Sequence, residues 1–209
     1  SIVVGLVAAS ISTIFAGAAS YIMAKRRSYG TLLLSIYLYS LPATSFIFPL
    51  FIFASNVGLI NTWWILMMAT PIFTITMVAW TMFNIYQDVP EVFEEIAQIE
   101  GASSTYILFR LIMPITMGSW AASFILSFIF NWHLLFYPLV LTETPWQFNF
   151  PPTGAQTVTI FAALAIGNQV VEWGLLASAA LIVALPVMVL SYIVMGRLLR
   201  GFSFGGVKG

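Results

Sequence analysis

An all-α, polytopic bundle of transmembrane helices is the architecture this sequence calls for, and three observations carry it. Of 209 residues, 61% are hydrophobic and only 7% are charged, with a mean hydropathy of +1.01. A soluble domain is about half apolar and about a quarter charged. The charges also leave long gaps: none falls between Ile2 and Ala24, and none between Ser28 and Gln87. The apolar runs lack the alternation over about ten residues that marks a membrane-spanning strand. Length alone would allow one or two soluble domains, but composition overrides length here. The chain has no cysteine, which excludes disulfides and thiolate metal sites. The formal net charge is zero, so no global field invites nucleic acid, and none is expected as a partner.

The elements follow in chain order. A helix crosses the hydrocarbon in about 20 residues, so residues 2–24 form a first span. It ends at Lys25-Arg26-Arg27. A basic cluster after the apolar core is the reverse of a signal peptide. Gly5, Ala9, Thr13 and Gly17 recur at every fourth position, and such a stripe lets helix backbones approach closely in lipid. Ordinary packing within the bundle is its first explanation, and a seam for a second subunit the alternative. The uncharged run up to Gln87 is too long for one helix. Ser55-Asn56-Val57-Gly58 and Asn61-Thr62 mark a bend in it, predicting spans at 32–54 and 63–84. A fourth span is predicted at 118–141 and a last at 173–196, five in all. Between these two, residues 142–172 carry Pro145, Trp146, Pro151 and Pro152. They read as an interfacial, partly re-entrant loop with a short helix at 155–166.

This arrangement places Lys25, Arg26, Arg27, Arg110, Arg197, Arg200 and Lys208 on one side and no Lys or Arg on the other. By the positive-inside rule the N-terminus lies outside and the C-terminus in the cytoplasm. The first residue is Ser rather than Met, which suits an excised portion of a longer protein with a span in front.

The remaining stretch, 87–117, is a polar island. Asp88, Glu91, Glu94, Glu95 and Glu100 gather there, leaving only Glu143 and Glu172 elsewhere. Asp88 and Glu91 are spaced as a capping box, and Pro90 suits a first helical turn. Val92, Ile96 and Ile99 share one helical face, with Phe93 beside them; Glu91, Glu94, Glu95 and Gln98 lie mostly opposite. Gly101 can take the left-handed conformation of a helix C-terminus. A second short helix is expected over 104–112, broken by Pro114. Such a loop could rest its apolar face on the bilayer, but its acids oppose anionic lipid. A protein partner suits it better.

The island resembles the EAA loop of ABC-importer permeases of the binding-protein-dependent type. That signature runs E-A-A, three residues, G, nine residues, I-x-L-P. Here it reads Glu95-Ile96-Ala97, Gly101 and Leu111-Ile112-Met113-Pro114 at the same spacing. Ile96 stands for Ala, Leu111 for Ile and Met113 for Leu. The segments VPEVFEE and GAS fit as well. NWHLLFYPLVLT and GFSFGGVKG resemble the sugar-importing branch, closest to maltose-type permeases. The resemblance implies a single permease domain over 1–209, with 87–117 as a cytoplasmic coupling loop and a further span before Ser1. Glu95, Ile96, Ala97, Glu100, Gly101, Ala102 and Pro114 would dock on a cytoplasmic ABC ATPase dimer. The other implied partners are a second permease subunit, an extracytoplasmic solute-binding protein and a sugar-like solute. The implied location is a bacterial or archaeal cytoplasmic (inner) membrane.

No catalytic set of nucleophile, base and acid shares one side, so the chain itself is not expected to be an enzyme or to hold a cofactor. Gly201, Gly206 and Lys208 imitate a phosphate loop but lack its Gly-Lys-Ser/Thr core. His133 alone makes no metal site. Asn131, Trp132 and His133 sit inside a predicted span, an awkward place for polar groups. They either bond between helices or line a path suited to sugar hydroxyls. The rival readings are a secondary transporter and a membrane scaffold without a path. The first ordinarily needs ionisable groups within its spans, and the predicted spans contain no acid or base apart from His133. Copurification with an ATPase separates the permease from both.

Overall fold

The computed structural model describes residues 1–40, 44–145, 147, 154–164 and 173–202. Trp146, Pro151, Pro152, Gly206 and Lys208 lie outside the described residues. All regular structure among the described residues is helical.

The axis of the bundle is α1 (Ile2–Lys25). All four stripe residues, Gly5, Ala9, Thr13 and Gly17, are buried along it. Gly5, Ala9 and Gly17 meet large side chains of α9 (Met117–His133): Ala9 packs with Phe128 and Trp132, a Cβ at Gly5 would lie 3.0 Å from the Phe128 ring, and one at Gly17 would drive into the Trp120 ring. The stripe is therefore consumed within the chain, as backbone approach in a bundle requires. On another side of α1 runs a nearly continuous helix over Trp63–Gln87. Its two parts, α4 (Trp63–Ala69) and α5 (Pro71–Gln87), meet at Thr70, with Pro71 in the first turn where a missing N–H costs nothing.

Three helices among the described residues are long and apolar enough to cross a membrane: Ile2–Lys25, Trp63–Gln87 and Trp173–Tyr192. The last is the start of α12 (Trp173–Phe202). The predicted span 32–54 is divided between α2 (Tyr29–Tyr39) and α3 (Thr44–Asn56). The predicted span 118–141 is broken. α9 stops at His133, Leu134 is extended, and α10 (Phe136–Leu141) follows. Pro138 accounts for the break, because in a continuous helix its ring would collide with the carbonyl of Leu134.

The predicted bend after α3 is present. Gly58 has φ +70°, with the Leu59 N–H on the Ala54 carbonyl at 2.8 Å, a Schellman closure. Asn61, also left-handed at φ 61°, then ties this end of the bundle together. Its N–H donates to the Leu141 carbonyl (2.8 Å), and its carbonyl accepts from the Gly154 N–H (2.9 Å). Its Oδ1 accepts from the N–H groups of Glu143 and Thr144, while its Nδ2 donates to Thr144 Oγ1 at 2.7 Å. This end is called distal below, and the end bearing Lys25–Arg27 basic. At the distal end the predicted helix 155–166 is observed as α11 (Val158–Leu164); residues 165–166 lie outside the described set. α12 descends antiparallel to α9, joined by the Trp132 Nε1 donating to the Val183 carbonyl at 2.9 Å.

Candidate functional site

The island hangs from the basic end as α6 (Val92–Ile99), α7 (Ser104–Tyr106), a π-helical turn (Ile107–Ile112) and α8 (Met113–Ile115). The predicted capping box is not formed. Asp88 closes the end of α5, and Glu91 at the start of α6 makes no side-chain cap. Pro90 precedes the helix instead of entering it, and Glu91 is drawn off to Arg27, 2.9 Å away. That carboxylate raises the Arg27 pKa further above its ordinary value.

The far end of α6 is as expected. Gly101 has φ +83°, its N–H donates to Gln98 and the next N–H, of Ala102, donates to Ala97, both at 2.9 Å. This is again a Schellman closure, and it needs the one residue that adopts such a φ without strain. Ser103 then caps α7 by accepting from the Tyr106 N–H. Pro114 does not break the run. It sits in the first turn of α8, and the preceding turn is widened so that the Met113 N–H reaches the Leu108 carbonyl five residues back. The wide turn relieves the clash a proline ring makes with the previous turn. The chain bends at Thr116 instead, by 87° into α9. Both the N–H and the hydroxyl of Thr116 donate to the Ile112 carbonyl there, at 2.9 and 2.8 Å.

α6 is mounted with its polarity reversed relative to a surface helix, whose apolar stripe ordinarily faces the core. Val92, Phe93, Ile96 and Ile99 are exposed, Ile99 to 87%, and no residue of α6 is fully buried. Of the acids, Glu94 is turned most toward the bundle. Glu94 Oε2 accepts from Lys25 Nζ at 3.1 Å and from Tyr21 Oη at 2.9 Å. The acidic rim read from the sequence is thus divided: Glu91 and Glu94 bind α1, while Glu95 and Glu100 remain exposed. Ala97 and Ala102 rest half-buried against the core built by Tyr21, Tyr86, Ile107 and Trp120. Ile96, the bulky departure from the EAA pattern, points outward at 53% exposure, so its extra volume costs nothing inside this chain. Behind α6 lies a cleft of about 500 Å³, bordered by Lys25, Tyr29, Gln87, Glu94 and Gln98.

Asn131, Trp132 and His133 point three ways. Asn131 is buried between helices, its Nδ2 donating to the Ser127 carbonyl (2.8 Å) and to Thr74 Oγ1 (3.2 Å). Thr74 in turn bonds Ser12 of α1 at 2.6 Å. Trp132 is fixed to α12 as described. His133 is exposed, its Nδ1 donating to the Ile129 carbonyl at 2.9 Å. It borders an apolar cavity of about 470 Å³ with Thr159, Leu176 and Ala180. No group of His, Asp or Glu among the described residues is placed to hold a metal.

A membrane-embedded, multi-pass helical bundle with a short amphipathic helix held out at one end is the form of an importer permease subunit. The chain belongs to the family of binding-protein-dependent transport system inner membrane components, whose model matches residues 2–203. It is 27% identical to the trehalose transport permease SugB of Mycobacterium tuberculosis, over 100% of this chain and 75% of that protein. It is also 27% identical to the trehalose/maltose transport permease MalG of Thermococcus litoralis, over 99% and 71%. Two solved structures share the fold. The inward-facing MetNI methionine ABC transporter gives a TM-score of 0.69 at 13% identity, covering 96% of this chain and 93% of the other. A bacterial ABC transporter involved in import of the acidic polysaccharide alginate gives 0.64 at 19%, covering 93% and 70%. The protein is an ABC-importer permease subunit of the inner membrane, and not itself an enzyme; the ATPase is a separate subunit.

Tyr21, Lys25 and Arg27 were not legible as site residues. Their basic cluster announced only a membrane side, and nothing local announced the acids they meet.

Proposed function

We propose that this chain forms a translocation path for a sugar-like solute together with a second permease subunit, and that α6 docks on a cytoplasmic ABC ATPase dimer. The observation that carries the proposal is the outward apolar face of α6, Val92, Phe93, Ile96 and Ile99, on a helix terminated by a left-handed Gly101. Water-exposed apolar side chains on a short helix held by its opposite face suit insertion into a groove on a partner. Glu95 and Glu100 add charge at the margin of that face, and Ala97, Ala102 and Pro114 set its mounting. An extracytoplasmic solute-binding protein delivers the solute at the distal end. In this reading the N-terminus of the chain lies outside and the C-terminus in the cytoplasm, with the basic end on the ATPase side.

The sugar assignment is supported by the names of the trehalose and maltose permeases above. Two assays test the whole. The chain is co-expressed with candidate ATPase, second-permease and binding-protein subunits from its own genome, and the ATPase should copurify. Radiolabelled trehalose and maltose are then offered to proteoliposomes. Uptake of either that depends on ATP is expected; copurification without uptake of any sugar would remove the solute class and leave the docking.

A further inference from the structure

We propose that Tyr21, Lys25 and Glu94 form the joint through which movement of α6 is passed to α1; the proposal rests on the reading of α6 as the coupling element. α6 has no fully buried residue to key it into the core. Its ends are the short connections around Pro90 and Gly101. Two polar contacts orient it, and their weights differ. Arg27 and Glu91 are 73% and 75% exposed, so that pair is worth little. The Lys25 and Glu94 side chains are 34% and 20% exposed, and Glu94 accepts from two donors at once. The second donor is the one that matters mechanically. Tyr21 is itself 3% exposed and stacks edge-on against Tyr86 at 5.6 Å, inside the core that holds Trp120. Its hydroxyl is the polar tie from that core to α6, beside the apolar packing of Ala97. One turn earlier on α1, Gly17 abuts the Trp120 ring of α9. A displacement of Glu94 is therefore delivered to α1, and from α1 to α9, by groups in direct contact. Packed elements with discrete arrangements carry coupling in this way.

The absence of cysteine makes a clean reporter available. Asn56 is exposed and lies at the distal end. With Asn56→Cys as background, the complex with its ATPase and second permease is assembled in nanodiscs. The rate of maleimide labelling is compared before and after trapping with ATP and vanadate. Trapping should change the rate in the parent. Glu94→Gln and Lys25→Gln should reduce that change roughly fivefold or more, the lower range of a typical coupling free energy, while the ATPase still copurifies. Tyr21→Phe should weaken it with the ring packing kept. The exchange Lys25→Glu with Glu94→Lys should restore it. An undiminished response in both single variants overturns the joint. So does a loss of response that follows loss of the ATPase and is not repaired by the exchange, since the pair would then only hold the fold. If the parent itself fails to retain the ATPase, the docking role of α6 falls, and the joint with it.

Discussion

At the scale of single residues, Gly101 and the pair Asn131 and His133 carry separable consequences. Gly101 has open space where a Cβ would stand, so a substitution there clashes with nothing and is penalised only through its φ of +83°. A β-branched residue at such an angle costs about 1–3 kcal/mol. Gly101→Val is expected to insert normally, to bind the ATPase more weakly and to lose solute-stimulated hydrolysis, as read by pull-down and by ATPase assay of reconstituted complexes. Asn131 and His133 are neighbours in sequence with opposite surroundings. Asn131 is built into the Ser12–Thr74–Asn131 bond chain, so Asn131→Leu should lower the melting temperature of the purified protein. His133 is exposed and, among the described residues, hydrogen-bonded to its own helix, so His133→Leu should leave the melting temperature unchanged. If it also leaves sugar uptake unchanged, His133 does not line the path.

At the scale of elements, α6 shows what one sequence can and cannot disclose. The spacing of Val92, Ile96 and Ile99 and the stop at Gly101 were legible, because both are local properties of a helix. What would hold the opposite face against the bundle was not. That is decided by Tyr21 and Glu94, 73 residues apart, a pairing with no local signature. The capping box failed because Asp88 closes α5 and α6 begins only at Val92, so Asp88 is not at a helix start. The break before α10 is a different kind of miss. Pro138 was visible, but an unbroken apolar run outweighed it, and hydropathy counts are blind to a missing N–H. The proposed docking face is tested by Ile96→Asp and Ile99→Asp. Both sites are exposed, so the fold should be unaffected, and retention of the ATPase in pull-down should drop, more for the double variant than for either alone.

At the scale of the whole molecule, the membrane orientation is the open quantity that the charges predict. Cysteines introduced at Asn56 and Gln147 should react with an impermeant maleimide added to intact cells, and one at Ser103 should react only after lysis. Labelling of Ser103 from outside would invert the arrangement and place α6 on the wrong side for an ATPase. The general architecture was legible because composition and charge gaps act over the full length of the chain. The break after His133 was not, because it turns on a single proline, Pro138. One feature reaches beyond transport. A newly made copy that has not met its ATPase displays Val92, Phe93, Ile96 and Ile99 to water, the kind of surface on which membrane proteases and chaperones act. Cellular abundance of the permease should then follow supply of its partner. In a pulse-chase experiment the half-life of the chain should lengthen when the ATPase is co-expressed. Ile96→Asp with Ile99→Asp should abolish that dependence, giving the same lifetime with or without the partner. The helix that joins the machine would thus also report whether the machine is complete.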